Sequence, residues 1–330
     1  MLKFDVRRWL PPRHAHSGVM RRMVEAITRA IQVMRAPFFT ASIAPVLIGT
    51  ALAWKLDGKF NLALFLMALL AMLFLHAAAN MLNDYFDHLS GTDWLANPIR
   101  LSRAVSLTGG GRAIQDGIVQ PIAVLIFGLV AFFIGILLGM WLVVLVGLPI
   151  LLIGAMGAFF AFFYTAPPIR LAHNGLGEFA VGMSFGVLPV LGAYFVQTAR
   201  LDWRVILASL PIASLITAVL WVNEIPDVPY DEAVGKRNLV VRLGTNGAAI
   251  GYFALVASAY VVLPFISLSL RSPMPLIGFL TVPIALLAML NVKWYVGGRR
   301  TLMEAMKVAC PMTITTHAAM GILLSIAYAI

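Results

Sequence analysis

Long apolar runs dominate the chain, and its polar residues gather in short clusters between them. Nine runs approach the roughly 20 residues that a helix needs to cross a bilayer: 37–54, 59–82, 118–138, 141–163, 177–198, 204–223, 246–268, 274–292 and 308–328. Backbone in lipid must satisfy its own hydrogen bonds, so these runs are read as helices. The predicted fold is all-α, a polytopic membrane bundle of about nine transmembrane helices. It forms a single membrane-embedded domain, 37–330, after a basic N-terminal segment, 1–36. Within that segment VEAITRAIQVMR (24–35) alternates apolar and basic residues at helical spacing, which predicts a helix lying on the membrane surface.

Charge adds an orientation. With the N-terminus inside, segments 1–36, 83–117, 164–176, 224–245 and 293–307 hold 19 of the 24 Lys and Arg. The positive-inside rule then predicts a cytoplasmic N-terminus and an outer C-terminus, as in a protein of the bacterial inner membrane. The 61% hydrophobic content and mean hydropathy of +0.92 exclude an ordinary soluble domain. A formal net charge of +10 spread over many loops, with no nucleic-acid motif, is a topology signal with contacts to membrane lipid rather than a nucleic-acid footprint. Cys310 stands alone, so neither an internal disulfide nor a thiolate cluster is available. His76 and His317 fall within spans and are expected to pack or to bond between helices.

The carboxylates are less evenly spread. Nine of the fourteen (Asp84, Asp87, Asp93, Asp116, Glu178, Glu224, Asp227, Asp231 and Glu232) lie at or near three inside loops. NMLNDYFDHLSGTD (80–93) and NEIPDVPYDE (223–232) each close a span running in the same direction, and each has an Asn four residues before an Asp: Asn80 with Asp84, Asn223 with Asp227. Asp84 and Asp87 share a helical face, as do Asp227 and Asp231 if the helix survives Pro226 and Pro229. Asp93 follows Gly91, where the chain leaves the helix. Any one of these residues would serve as a cap or a solvated loop charge; the matched spacing points to one shared site. Two such clusters facing each other need positive charge between them. Magnesium, which one or two carboxylates hold together with substrate phosphates, suits that gap.

These motifs, with TGGGRAIQDGIV (108–119), YTAPPIRLAHNGLGE (164–178) and DVPYDEAVGKRNLVVRLG (227–244), resemble the UbiA superfamily of intramembrane prenyltransferases over nearly the whole chain from residue 41. The DxxDxxxxxD spacing of Asp84, Asp87 and Asp93 and the GKRNLVVRLG tail are similar to the 1,4-dihydroxy-2-naphthoate branch of menaquinone synthesis. That branch usually reads NNxRD where this chain reads NEIPD, with Glu224 and Pro226 in place of an amide and a cation.

The resemblance implies a magnesium-dependent transfer of a polyprenyl group from polyprenyl diphosphate to an aromatic acceptor. Asp84, Asp87, Asp227 and Asp231 would hold the metal and, with Asp93, form the catalytic set. Asn80, Asn83, Arg100, Arg103, Arg112, Asn223, Lys236 and Arg237 are candidates for binding the diphosphate or acceptor, and Tyr164 for facing the allylic cation. Asp93 or Glu178 would take the ring proton. Other acceptors that the family implies are 4-hydroxybenzoate, homogentisate and a glycerol phosphate lipid. A cation-coupled transporter is the rival from another class, but transporters set their sites near the midplane, whereas these clusters lie at span ends. A lipid-headgroup phosphotransferase would need a DGxxAR-type motif, which is absent here.

Overall fold

The structure, a computed structural model, describes residues 28, 30–91 and 113–330. Its described residues form nine long helices and no strand: α1 Thr40–Asp57, α2 Leu62–Ser90, α3 Pro121–Val146, α4 Pro149–Phe163, α5 Gly177–Thr198, α6 Trp203–Glu224, α7 Leu239–Leu270, α8 Met274–Val296 and α9 Leu302–Ala329. The chain is thus the all-helical membrane bundle that the apolar runs predict. Seven of the nine are long and apolar enough to cross a membrane on those criteria alone.

Local sequence sets the helix ends. Asn61, Asp202, Asn238 and Thr301 cap the starts of α2, α6, α7 and α9 with their side chains, and Gly58 and Gly91 end α1 and α2 in the left-handed region. Several boundaries differ from the sequence expectation: α2 runs on to Ser90 rather than 82, α9 begins at Leu302 rather than 308, and two further differences have a local cause. The break between α3 and α4 falls at Gly147 to Pro149 rather than near residue 140, because the left-handed turn at Gly147 (φ 105) and Pro149 in the first helical turn stop a helix where Gly139 does not. Helix α7 starts at Leu239 and kinks at Gly244 (φ 65), so the loop expected over 224–245 carries helical turns of its own.

Helices α1, α5, α6, α7 and α9 meet around a core of Ile48, Leu52, Tyr194, Ile212, Leu263, Met320 and Tyr328. Helix α3 packs along α2 and leaves Phe127, Phe133, Leu137 and Val144 exposed, an apolar face suited to lipid. Small residues bring backbones together, as membrane packing favours. A Cβ on Gly49 of α1 would stand 2.2 Å from the Val190 carbonyl oxygen of α5. Gly49→Val is therefore expected to lower stability by about 1–3 kcal/mol, the usual range for overpacking, and a thermal melt in detergent checks it. An unchanged melting temperature would show that α1 and α5 separate easily.

The residues before α1 dock onto the bundle. Residues 30–33 are helical, Val33 is buried beside Ala77, Met81 and Val124, and the Met34 carbonyl accepts a hydrogen bond from Asn80 Nδ2 at 3.0 Å. Residues 24–27 and 29 of the surface helix expected over 24–35 lie outside the described residues.

Candidate active site

One helical face carries the first motif to a cavity. Met72, Leu75, His76, Ala79, Asn80, Asn83 and Asp87 of α2 line it at the spacing of a single stripe. Helix α6 and the turn after it contribute Ile216, Val219, Leu220, Asn223, Glu224 and Asp227 in the same rhythm. Both stripes run from apolar to polar toward the ends of their helices, so the cavity, about 250 Å³, has a greasy floor and a charged mouth. The chain survives Pro226 and Pro229 as a 3-10 turn, Ile225–Asp227, followed by a short helix, Val228–Ala233.

The two half-sites use their aspartates differently. In the first, Asp87 lines the cavity while Asp84, buried behind it, pairs with the Arg35 guanidinium. Asn83 donates to Asp87 Oδ2 at 2.9 Å. In the second, Asp227 lines the cavity and Asp231 is buried behind. Lys236 Nζ lies 3.0 Å from Asp231 Oδ2, and Asn238 Nδ2 donates to the same oxygen at 3.0 Å while its own oxygen caps α7. Burial opposes the charge on Lys236, but the carboxylates of Asp231, Asp87 and Glu224 outweigh it and hold the ammonium above its usual range.

Of the residues expected in the site, Asn80, Asn83, Asp87, Tyr164, Asn223, Asp227 and Lys236 line one cavity. Arg237 is exposed, and its backbone N–H donates to the His173 carbonyl at 3.0 Å. Asp93, Arg100, Arg103 and Arg112 lie outside the described residues. Glu178 is committed to structure at one oxygen: Oε1 accepts from the Leu239 N–H at 2.6 Å, at the start of α7. His76 makes the expected bond between helices, Nδ1 to Ser42 Oγ at 2.7 Å, with its ring between Phe39 and Phe185.

Sequence reasoning missed Arg35, which adopts a left-handed conformation (φ 53) just before α1 and so turns its side chain onto the end of α2. It also missed Phe160, Ser184 and Phe185. The last two stand in a π-helical turn, Met183–Val187, and bulges of this kind often serve functional sites. Tyr164, half-buried in the cavity wall, has its phenol pushed well above its ordinary value by burial and then by the carboxylates of Glu224, Glu178, Asp87 and Asp231. It stays a neutral donor.

Loops 164–176 and 224–245 are tied across the mouth by Arg242, whose guanidinium donates to the carbonyls of Arg237 and Asn174. Burial, then Lys236 and Arg170, lower His173 to about 4, below an ordinary imidazole near 6.5. The folded state therefore binds fewer protons than the unfolded state between these values, and stability falls as pH drops from about 6.5 toward 4. Thermal melts over that range should show a shallower slope in His173→Gln. Equal slopes would mean that the ring is not shielded.

A second cavity of about 340 Å³, almost wholly apolar, lies among α2, α3, α4 and α5 and shares Met72, Leu75, Gly157 and Ser184 with the first. A polar pocket opening into an apolar one fits a molecule with a charged head and a hydrocarbon tail.

The sequence profile of the UbiA prenyltransferase family matches residues 42–309. The chain belongs to that family. It is 33% identical to the 1,4-dihydroxy-2-naphthoate octaprenyltransferase of Bacillus subtilis, with 89% of this chain and 90% of that protein covered. It is 31% identical to the enzyme of the same name in Mycobacterium tuberculosis, covering 86% and 92%. A UbiA homologue from Archaeoglobus fulgidus, solved with geranyl diphosphate (GPP) and Mg2+, shares the fold at a TM-score of 0.59 and 14% identity, over 88% of this chain and 99% of that one. This UbiA chain is accordingly an integral membrane prenyltransferase.

Proposed function

We propose that the protein transfers a polyprenyl group from polyprenyl diphosphate to 1,4-dihydroxy-2-naphthoate, with magnesium, as a step of menaquinone synthesis. The observation that carries the reading is the junction of the two cavities, with Asp87 and Asp227 at the polar end and hydrocarbon walls beyond. The names of the Bacillus and Mycobacterium relatives favour the naphthoate acceptor.

No three His, Cys, Asp or Glu side chains among the described residues are grouped closely enough to cage a metal alone. Magnesium is usually held by one or two carboxylates with substrate phosphates, and this donor set fits that pattern. Asp87 and Asp227 would hold it, with Asp84 and Asp231 behind them. When bound, the ion supplies Lewis-acid help to the departing diphosphate.

The chain's own residues do the rest. Arg35 and Lys236 line the cavity and add positive charge near the diphosphate. The apolar walls keep water from an allylic cation, and the faces of Phe38, Phe160 and Phe185 each stabilise it by about 0.5–2 kcal/mol. Asn80, Asn223 and Tyr164 supply the polar contacts that orient the acceptor ring.

The purified protein is expected to release diphosphate and form a prenylated naphthoate product only with magnesium, when offered labelled donors and a panel of 1,4-dihydroxy-2-naphthoate, 4-hydroxybenzoate, homogentisate and glycerol phosphate acceptors. Turnover of a different acceptor alone would overturn the naphthoate assignment and keep the chemistry. Loops 83–117, 164–176 and 224–245 are proposed to face the cytoplasm. A cysteine placed at position 236 should escape reagents applied outside intact cells, and Cys310, being buried, gives little background.

A further inference from the structure

Glu224 occupies a position that the reading above leaves without work. It is the last residue of α6, only 4% exposed, and its side chain lines the polar cavity. Its Oε2 is buried with no hydrogen-bond partner. A buried carboxylate oxygen left without a donor is costly, and a chain keeps one only where something else meets it. The charged groups around Glu224 are Glu178 of α5, Asp227 and Asp231 beyond its own helix, and Lys236. Lys236 is engaged by Asp231, and Glu178, whose Oε1 accepts at the start of α7 and whose Oε2 is also buried without a partner, is another acceptor and gives Glu224 no donor. Tyr164 and Asn223 share the wall, and Asn223 Oδ1 is likewise buried without a donor. The cavity wall thus presents unmet acceptors on Glu224 and Asn223, with the Ser184 hydroxyl also unpaired, which is what a ligand bearing O–H donors would complete.

The geometry points to Glu224 as the general base of the transfer, receiving the proton of the acceptor's ring hydroxyl as the new carbon–carbon bond forms. The inference rests on the prenyl-transfer reading. The prenyl C1–O bond breaks and its electron pair leaves with diphosphate. The acceptor's O–H bond breaks toward Glu224, its electrons form a carbonyl, and the conjugated ring carbon gives a pair to C1. Charge balances, because the carboxylate becomes neutral as the allylic cation is consumed. The keto product then regains aromaticity by losing the ring hydrogen as a proton to water or, where that carbon bears a carboxylate, by losing carbon dioxide. An amide at this position would orient the hydroxyl but would not take its proton.

The test compares the wild type, Glu224→Gln and Glu224→Asp at saturating prenyl diphosphate and magnesium, using hydroxylated aromatic acceptors of graded acidity. Glu224→Gln is expected to lower kcat by about 10²–10⁴-fold, the usual worth of a positioned base, for acceptors that are un-ionised at the assay pH. The loss should shrink below about tenfold for acceptors already ionised, since these need no base. The donor KM should stay within about threefold, and Glu224→Asp should recover part of kcat. A loss of equal size at every acidity, a raised donor KM with kcat kept, or no loss at all would overturn the assignment. If Glu224→Gln fails to fold, Glu224→Ala with added formate takes its place, and transfer that formate does not restore counts against the base. A wild-type protein that releases no diphosphate from any prenyl donor brings down the prenyl-transfer reading itself. Release by the wild type with a Gln variant that behaves like it brings down only the role of Glu224.

Discussion

Asp87→Asn and Asp227→Asn should each lower turnover by about 10³-fold or more, and the double variant should be little worse than either, because groups that act as a unit are grossly non-additive. These two carboxylates line the same cavity from the ends of α2 and α6. On the proposed function each would hold magnesium together with the diphosphate, so losing one carboxylate would leave the other with no function to perform alone. Additive losses, with the double variant near 10⁶-fold down, would mean two independent sites. Near-normal turnover in either single variant would remove that residue from the site.

Their neighbours behind the wall should fail in a different way. Asp84 and Arg35 are paired with only 3% and 15% of their side chains exposed. Removing one member of such a pair leaves the other charge buried and typically costs about 3–5 kcal/mol. Asp84→Asn is therefore expected to lose stability as well as activity, and adding Arg35→Met should recover the melting temperature without recovering turnover. Recovery of both would show that the pair serves packing alone.

How much of this was legible beforehand depended on whether a property lives on one helix or between several. The nine helices were visible because lipid leaves apolar backbone few other choices, and the ends of α2 and α6 because Asn and Asp interrupt apolar runs at helical spacing. The division of work between Asp84 and Asp87 was not visible. Three residues apart, they sit about 60° around the helix from each other, and only the position of Arg35 shows which of them turns inward. Arg35 itself was hidden, since it reaches Asp84 through a left-handed turn 49 residues away in sequence. Phe185 and Ser184 were hidden because a π turn rotates them off the stripe that regular spacing would assign. Glu224 was visible as a departure from the usual motif, but its unmet oxygen depends on Lys236 being engaged by Asp231, which no spacing on α6 reveals.

Donor length should respond to Gly157 more than to any charged residue. This glycine of α4 lies where the polar and apolar cavities meet, across from Met72 and Leu75 of α2. A Cβ built on it meets nothing within 4 Å, so a larger side chain would grow into the passage rather than into a neighbour. Gly157→Phe is expected to lower kcat/KM for long prenyl diphosphates by about 100-fold, on the order of 3 kcal/mol, and to leave the five-carbon dimethylallyl donor within about threefold. Gly154, one turn earlier on the same helix, lines only the apolar cavity and also faces open space. Gly154→Phe should therefore spare somewhat longer donors than Gly157→Phe does, so that the two variants form a ruler along the tail's path. Kinetics with donors of 5, 10, 15 and 20 carbons read that ruler directly. An equal loss at every length in Gly157→Phe would mean distortion of α4, and undiminished use of the longest donor would mean that the tail leaves the polar cavity by another route.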